Sequence, residues 1–203
     1  FDHFSKLLKH EVPLIFFDRV ANFLPVPKVI TNDHDGAYQA TQYLINLGCT
    51  RIAHITGSIN LNNSNNRLYG YLDALKAGNI EIDEGLIHYY EFKVESIASF
   101  LSKTLLKYPD LDGLFVFNDY VANYSVNVLQ KLGKDVPGDI ALVGFSDEPV
   151  ATYMTPPLTT VQQNAEKMGR LTAQKLISIV NNLEPIDGEK ITITPKLIIR
   201  GTT

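Results

Sequence analysis

This chain is poor in cysteine, has no long apolar run and carries no excess of basic residues, and each shortage removes a class of function. The single Cys49 rules out an intrachain disulfide. It lies between a helix end expected at Gly48 and a strand start expected at Arg51, which suggests a half-buried, inert thiol and speaks against redox or metal chemistry. The apolar runs are a handful of residues long, well short of the ~20 needed to span a bilayer. With 18 Lys and Arg against 22 Asp and Glu the net charge is −4, so these residues lack the basic footprint of phosphate-backbone binding. If the protein binds DNA, another segment does so. No signal peptide is read in these residues, and the first of them is not Met. Residues 1–11 already read as the end of a helix with Phe1, Phe4, Leu7 and Leu8 on one face, so the chain is read as a fragment. Catalytic signatures are missing too: no nucleophile elbow, no Walker loop, no G-x-G-x-x-G after a strand and no paired-His motif. The N-x-S patterns at Asn62 and Asn123 recur by chance and carry no weight without secretion.

What the chain does have is alternation. At 203 residues and 45% hydrophobic it can bury one or two cores. Residues 13–17 and 28–31 read as short strands, followed by a helix over 36–47 that stops at Gly48, a strand over 51–56 and a helix over 67–77 that stops at Gly78. The unit then recurs. Strand 86–91 precedes helix 94–107, strand 113–117 precedes helix 120–132, and the β-branched run 140–145 leads into an irregular link. Residues 158–161 read as a strand crossing between lobes, followed by a helix over 165–181 and closing strands within 191–200. Parallel neighbours need a helical crossover, so the pattern predicts an α/β, doubly wound fold: a parallel sheet with helices on both faces.

In such a sheet the carboxyl ends of the strands share one edge, where ligands bind. Past successive strands stand Arg67, Phe92, Asn118 with Asp119, and Ser146 with Asp147. A guanidinium, an aromatic face, an amide and a hydroxyl or carboxylate suit a polyhydroxylated ring. Plainer readings stand beside this one. Asp119 serves as an N-cap for the helix from Tyr120, which outranks ligand contact. Arg67 in a first helical turn opposes the dipole, which favours contact over mere solvation. Phe92 is equally well a core aromatic, and Ser146 and Asp147 form a turn before Pro149. The Asn-rich stretch 60–66 either approaches the ligand or is a flexible connection, the second being the plainer reading; His34 and Asp35 read as turn residues, and His54 as a hydrogen-bonded core histidine without metal-ligand neighbours.

Several blocks together resemble the LacI family of transcription regulators: P-L-I-F-F-D-R, V-I-T-N-D-H-D-G-A-Y, L-G-C-T-R-I-A-H-I-T-G, R-L-Y-G-Y with A-L-K-A-G, V-P-G-D-I-A-L-V-G-F-S-D with P-P-L-T-T-V-Q-Q, and L-I-I-R-G-T. The resemblance covers essentially the whole chain. It implies a flavodoxin-like, periplasmic-binding-protein-like effector domain of two lobes joined by three crossovers, with a sugar, sugar phosphate or purine bound between them. Residues 31–162 and 188–203 would form the carboxyl-terminal lobe, with 1–30 and 163–187 a remnant of the other. The ligand positions it implies are Asp18, Arg19, Arg67, Phe92, Asn118, the residue after G-F, and Gln163. One departure stands out: where many members carry Asp after G-F or G-Y, this chain has Ser146, so the carboxylate clamp is missing or moved to Asp147.

By the same resemblance, Tyr153 and Met154 would contribute to a homodimer surface, and ligand binding would change the lobe angle and hence the spacing of two DNA-binding headpieces on operator DNA. The helix-turn-helix headpiece itself is absent from these residues. The expectation is a cytoplasmic, non-enzymatic regulator that needs no cofactor. The rival is a periplasmic sugar-binding protein of a transporter, which shares the fold and cleft.

Overall fold

The structure, a computed structural model, describes residues 2–203. Helix α1 (Asp2–Lys9), strands β1 (Phe16–Phe17) and β2 (Lys28–Thr31) open the chain. Helix α2 (Asp33–Asn46), β3 (Ile52–Thr56), α3 (Asn62–Ala77), β4 (Ile87–Tyr89), α4 (Val94–Lys107), β5 (Gly113–Val116), α5 (Asp119–Lys131) and β6 (Ala141–Ser146) continue the alternation. The short helix α6 (Val150–Tyr153), β7 (Thr159–Gln162), α7 (Ala165–Val180), β8 (Lys190–Ile193) and β9 (Lys196–Ile198) complete it. The chain divides into two units. One takes residues up to Asn32 and Asn164–Thr194, the other Asp33–Gln163 and Pro195–Thr203.

The second unit holds a six-stranded sheet in the order β4-β3-β5-β6-β7-β9, parallel except for β9, which runs antiparallel to β7. The period-2 geometry of strands sorts side chains onto two faces. Ala53, Ile55, Leu114, Val116 and Leu142 pack with α4 and α5, while Ile52, Phe115, Val143 and Phe145 pack with α2 and α3. Both faces are thus covered, as continuous apolar strands require. Helices α2 and α3 cross so closely that a Cβ on Gly70 would lie 2.2 Å from the His34 carbonyl oxygen, which explains a glycine inside a helix. From β3 the chain steps to one side for β4, and from β4 it crosses back past β3 to place β5 on the other side. Between the carboxyl ends of β3 and β5 lies the switch point at which open α/β sheets bind ligands.

The first unit holds a parallel three-stranded sheet, β1-β2-β8. Val29, Met168 and Ile193 form one of its cores; Ala21, Leu24 and Val26 form another, against which Phe4 and Leu8 of α1 pack. Leu7, expected on the same face, is exposed, and Phe1 lies outside the described residues. Lys28 is buried with its ammonium donating to the Leu24 and Val26 carbonyls.

Three elements differ from the sequence reading. Strand β8 pairs with β2 in the first unit rather than joining the second as part of 188–203, because β2 is buried along its whole length and its second edge needs a hydrogen-bonding partner. Helix α3 begins at Asn62, so most of the Asn-rich stretch 60–66 is helix and not a flexible connection. Burial of Asn63 and Ser64 beside β3 overrides their weak propensity. Helix α5 begins at Asp119, with Asn118 as its cap.

Candidate effector site

Four of the positions singled out by sequence come together at the carboxyl edge of the six-stranded sheet. Arg67 projects from the second turn of α3 and is 3% exposed. Its Nε and Nη2 donate to Asp33 Oδ1 at 2.8 and 2.7 Å, and its Nη1 donates to the Phe117 carbonyl at 2.5 Å. The guanidinium carbon lies 3.7 Å from the centroid of the Phe145 ring. One side chain therefore ties the start of α2 to the ends of β5 and β6, immediately before Asn118 and Ser146. The first-turn reading is corrected: α3 starts five residues before Arg67, so no clash with the helix dipole arises there.

Asn118, half-buried past β5, accepts the Val121 backbone N–H on Oδ1 at 2.8 Å. Its amide NH2 is not used by this cap. The capping role expected of Asp119 thus belongs to Asn118, whose extended backbone fits the N-cap position. Asp119 is instead fully buried: Oδ1 accepts the Thr160 hydroxyl at 2.6 Å and Oδ2 accepts the Glu148 backbone N–H at 2.7 Å. Burial pushes its carboxyl above the usual carboxylate range, partly offset by those hydrogen bonds.

Phe92 follows β4 and is 71% exposed, with its ring centroid 5.8 Å from that of Tyr90. The core reading is excluded by that exposure, leaving an open aromatic face. Ser146 ends β6 half-buried, and its carbonyl accepts the Gln163 N–H at 3.4 Å. Asp147 is engaged within the protein, Oδ1 accepting from Arg200 Nη2 at 2.7 Å and Oδ2 from Gln162 Nε2 at 2.9 Å. Asp18 and Arg19 follow β1 in the first unit, with Arg19 Nε 4.0 Å from an Asp18 carboxylate oxygen.

Four of these positions have a strained backbone, as do Glu11, Asn79, Asn164 and Asn182 elsewhere in the chain. Asp18, Phe92, Ser146 and Asp147 all have positive φ, at 55°, 60°, 124° and 59°. For side-chain-bearing residues such conformations cost roughly 1–3 kcal/mol each and persist where the surroundings impose them.

His54 behaves as a core residue. Its Nδ1–H donates to the Phe115 carbonyl at 2.9 Å, and its ring stacks between Phe115 and Tyr71 at 4.7 and 4.9 Å. Burial drives its pKa down to about 3. Of the two residues expected on a dimer surface, Tyr153 is 83% exposed but Met154 is 7% exposed within the core, since consecutive residues leaving a helix face different ways. Cys49 is buried with its thiol pushed up to about 11 by desolvation, so it is unreactive. Among the described residues no cluster of His, Cys, Asp or Glu is disposed to hold a metal, and no helix is long and apolar enough to cross a membrane.

Sequence reasoning missed Asp33 and Arg200 as architects of the site. Arg200 had a signal, as the cation that follows the apolar run 197–199; Asp33 stood in the V-I-T-N-D-H-D-G-A-Y block with no role assigned to it.

The sheet order, parallel with one antiparallel edge strand, is one that known proteins share. The profile of the periplasmic binding protein-like domain matches residues 41–203. The HTH-type transcriptional regulator CelR of Thermobifida fusca is 36% identical over 165 residues, which cover 81% of this chain and 48% of that protein. DegA of Bacillus subtilis, also named an HTH-type transcriptional regulator, is 30% identical over 98% of this chain and 58% of its own length. A solved complex of the transcriptional regulator CelR with cellobiose superposes with a TM-score of 0.90 at 32% identity, covering 97% of this chain and 61% of that one. The chain belongs to the periplasmic binding protein-like domain family, in the LacI-type form found in these transcriptional regulators. It spans about half the length of the curated relatives it matches. Those relatives are named regulators and repressors, not enzymes.

Proposed function

We propose that this chain is the effector-binding core of a cytoplasmic, DNA-binding transcription regulator, and that a sugar or sugar derivative bound at the carboxyl edge of its six-stranded sheet controls operator affinity. The unit carrying β3 to β7 is the carboxyl-terminal lobe, and the unit carrying β1, β2 and β8 is part of the amino-terminal one. The observation that carries the reading is the convergence of Arg67, Phe92, Asn118 and Ser146 on the carboxyl edge of one parallel sheet, beside its switch point. A relative of the same form has been solved with cellobiose.

In this reading Phe92 stacks on the apolar face of a sugar ring, the Asn118 NH2 and the Ser146 hydroxyl bond to ring hydroxyls, and Arg67 meets the ligand from beneath while holding Asp33. Asp18, Arg19 and Gln163 supply further polar contacts, and Asp147 contributes through the turn it anchors. Operator DNA is contacted by a headpiece outside these residues. Homodimerisation uses the face that exposes Tyr153, with Met154 supporting it from the core. The transporter reading is less favoured because the relatives are named as transcriptional regulators.

The test is thermal shift followed by calorimetry with cellobiose, D-ribose, D-galacturonate, glucose 6-phosphate and guanine. Stabilisation by at least one of them is expected, since ligand at about 100 times its Kd adds about 2.7 kcal/mol to the folded state. Absence of any shift across this panel would count against the proposal.

A further inference from the structure

The turn that follows β6 joins two non-glycine residues in a conformation neither prefers, Ser146 at φ 124° and Asp147 at φ 59°. A left-handed backbone costs a residue with a Cβ about 1–2 kcal/mol, so the turn persists only because something holds it.

Two charged side chains from distant parts of the chain do so. Arg200, in the segment after β9, donates from Nη2 to Asp147 Oδ1 and from Nη1 to the Leu158 carbonyl at 2.9 Å, and its own N–H donates to Thr159 Oγ1 at 2.8 Å. The second holder is Asp119, at the start of α5, which accepts the Glu148 backbone N–H at 2.7 Å and the Thr160 hydroxyl at 2.6 Å. Strand β6 makes room for that carboxylate: a Cβ on Gly144 would lie 2.5 Å from Asp119 Oδ1. Both grips run through β7, since Leu158 to Gln162 supply a partner to Arg200, Asp119 or Asp147 in each case. With Gln162 on one oxygen and Arg200 on the other, the Asp147 carboxylate lies against β7 and leaves Ser146 as the side chain offered at this position.

We propose that Arg200 and Asp119 are positioning residues of the effector site: they hold the turn over residues 146–148 so that Ser146 meets the ligand with a hydroxyl while the carboxylate of Asp147 is kept back. The inference rests on the reading of this edge as an effector site. It accounts for the Ser146 departure without moving the carboxylate clamp one residue along. Because the turn is held before ligand arrives, binding does not have to order it.

The test combines a readout without ligand and one with it, on Arg200→Met, Arg200→Lys, Asp147→Asn and the Arg200→Met/Asp147→Asn double variant. In hydrogen exchange followed by NMR, Arg200→Met and Asp147→Asn are each expected to speed the Glu148 amide and its neighbours through Tyr153 at least about tenfold, with amides of α2 and α3 unchanged. The double variant should be no faster than either single one, and Arg200→Lys should restore part of the protection. Calorimetry with whichever of cellobiose, D-ribose or D-galacturonate the unaltered protein binds should give at least about a fivefold loss of affinity for Arg200→Met, partly recovered in Arg200→Lys. Unchanged exchange in the turn, a uniform rise over the whole chain, or additive single effects would overturn the proposal, as would a faster turn with unchanged affinity. If no probe binds the unaltered protein, the effector reading fails, and the exchange result still decides whether Arg200 holds the turn.

Discussion

Replacing Arg67 with Met tests the carboxyl edge of the six-stranded sheet most directly. The substitution keeps the apolar stem of the side chain but removes the guanidinium that binds Asp33 through two nitrogens and the Phe117 carbonyl through a third. Both partners in the ion pair are about 4% exposed. Breaking a buried pair by removing one partner costs about 3–5 kcal/mol, because the remaining charge stays desolvated. The Phe117 carbonyl adds about 1 kcal/mol for its lost donor, and the stack on Phe145 roughly another 0.5–2 kcal/mol. A loss of about 4.5–8 kcal/mol is a large part of the roughly 5–15 kcal/mol that holds an ordinary domain together. Urea unfolding followed by circular dichroism would measure it, together with Asp33→Asn and the Arg67→Met/Asp33→Asn double variant. Removing both charges should recover at least about 2 kcal/mol relative to the sum of the single effects. A cost below about 1 kcal/mol for Arg67→Met, or strict additivity, would refute the view that this pair is a buried electrostatic unit. Any loss of ligand affinity in Arg67→Met must be measured on the folded fraction, because the side chain serves stability and the site together.

Two further outcomes are expected. Replacing Phe92 with Ala should lower the affinity for a binding sugar probe at least about fivefold, since the exposed ring offers the face on which a sugar would stack, while unfolding in urea changes little because the ring is exposed; a large loss of stability would contradict its placement. His54 should make stability acid-sensitive. Its folded pKa of about 3 lies below the ordinary value of 6.5, so the unfolded chain takes up the proton first; stability is full above about pH 6.5 and falls by up to about 1.4 kcal/mol per pH unit from there down to about pH 3. Histidine-to-phenylalanine replacement at position 54 should flatten that slope in urea titrations between pH 6.5 and 4, and an unchanged slope would show that other groups dominate.

Much of the architecture was legible before any coordinate. Strands β2, β3, β5 and β6 and helices α4 and α7 lie within a residue or two of where the apolar pattern puts them, because their periodicity reports directly which face is buried. The carboxyl-edge placement of Arg67, Asn118 and Ser146 followed from parallel alternation alone. Legibility ended where a residue's role is set by something far away in sequence. The start of α3 was missed because Asn63 and Ser64 are poor helix formers whose burial beside β3 is invisible locally. Asp119 looked like a cap, and Asn118 like a ligand group, because either residue type suits an N-cap and only the positions of Thr160 and Glu148 decide between them.

By itself, then, the order of residues determined the fold class, the element types and the edge of the sheet on which chemistry gathers, since these depend on hydrophobic period, glycine stops and the right-handed connection of parallel strands. Tertiary structure alone decided which charges meet: Arg67 with Asp33, Arg200 with Asp147, β8 with β2. The physical reason is range. Local propensity acts over a few residues, whereas a buried ion pair or a strand edge is satisfied by whatever group the packed core brings within hydrogen-bonding distance, 34 residues away for Asp33 and Arg67 and 53 for Asp147 and Arg200.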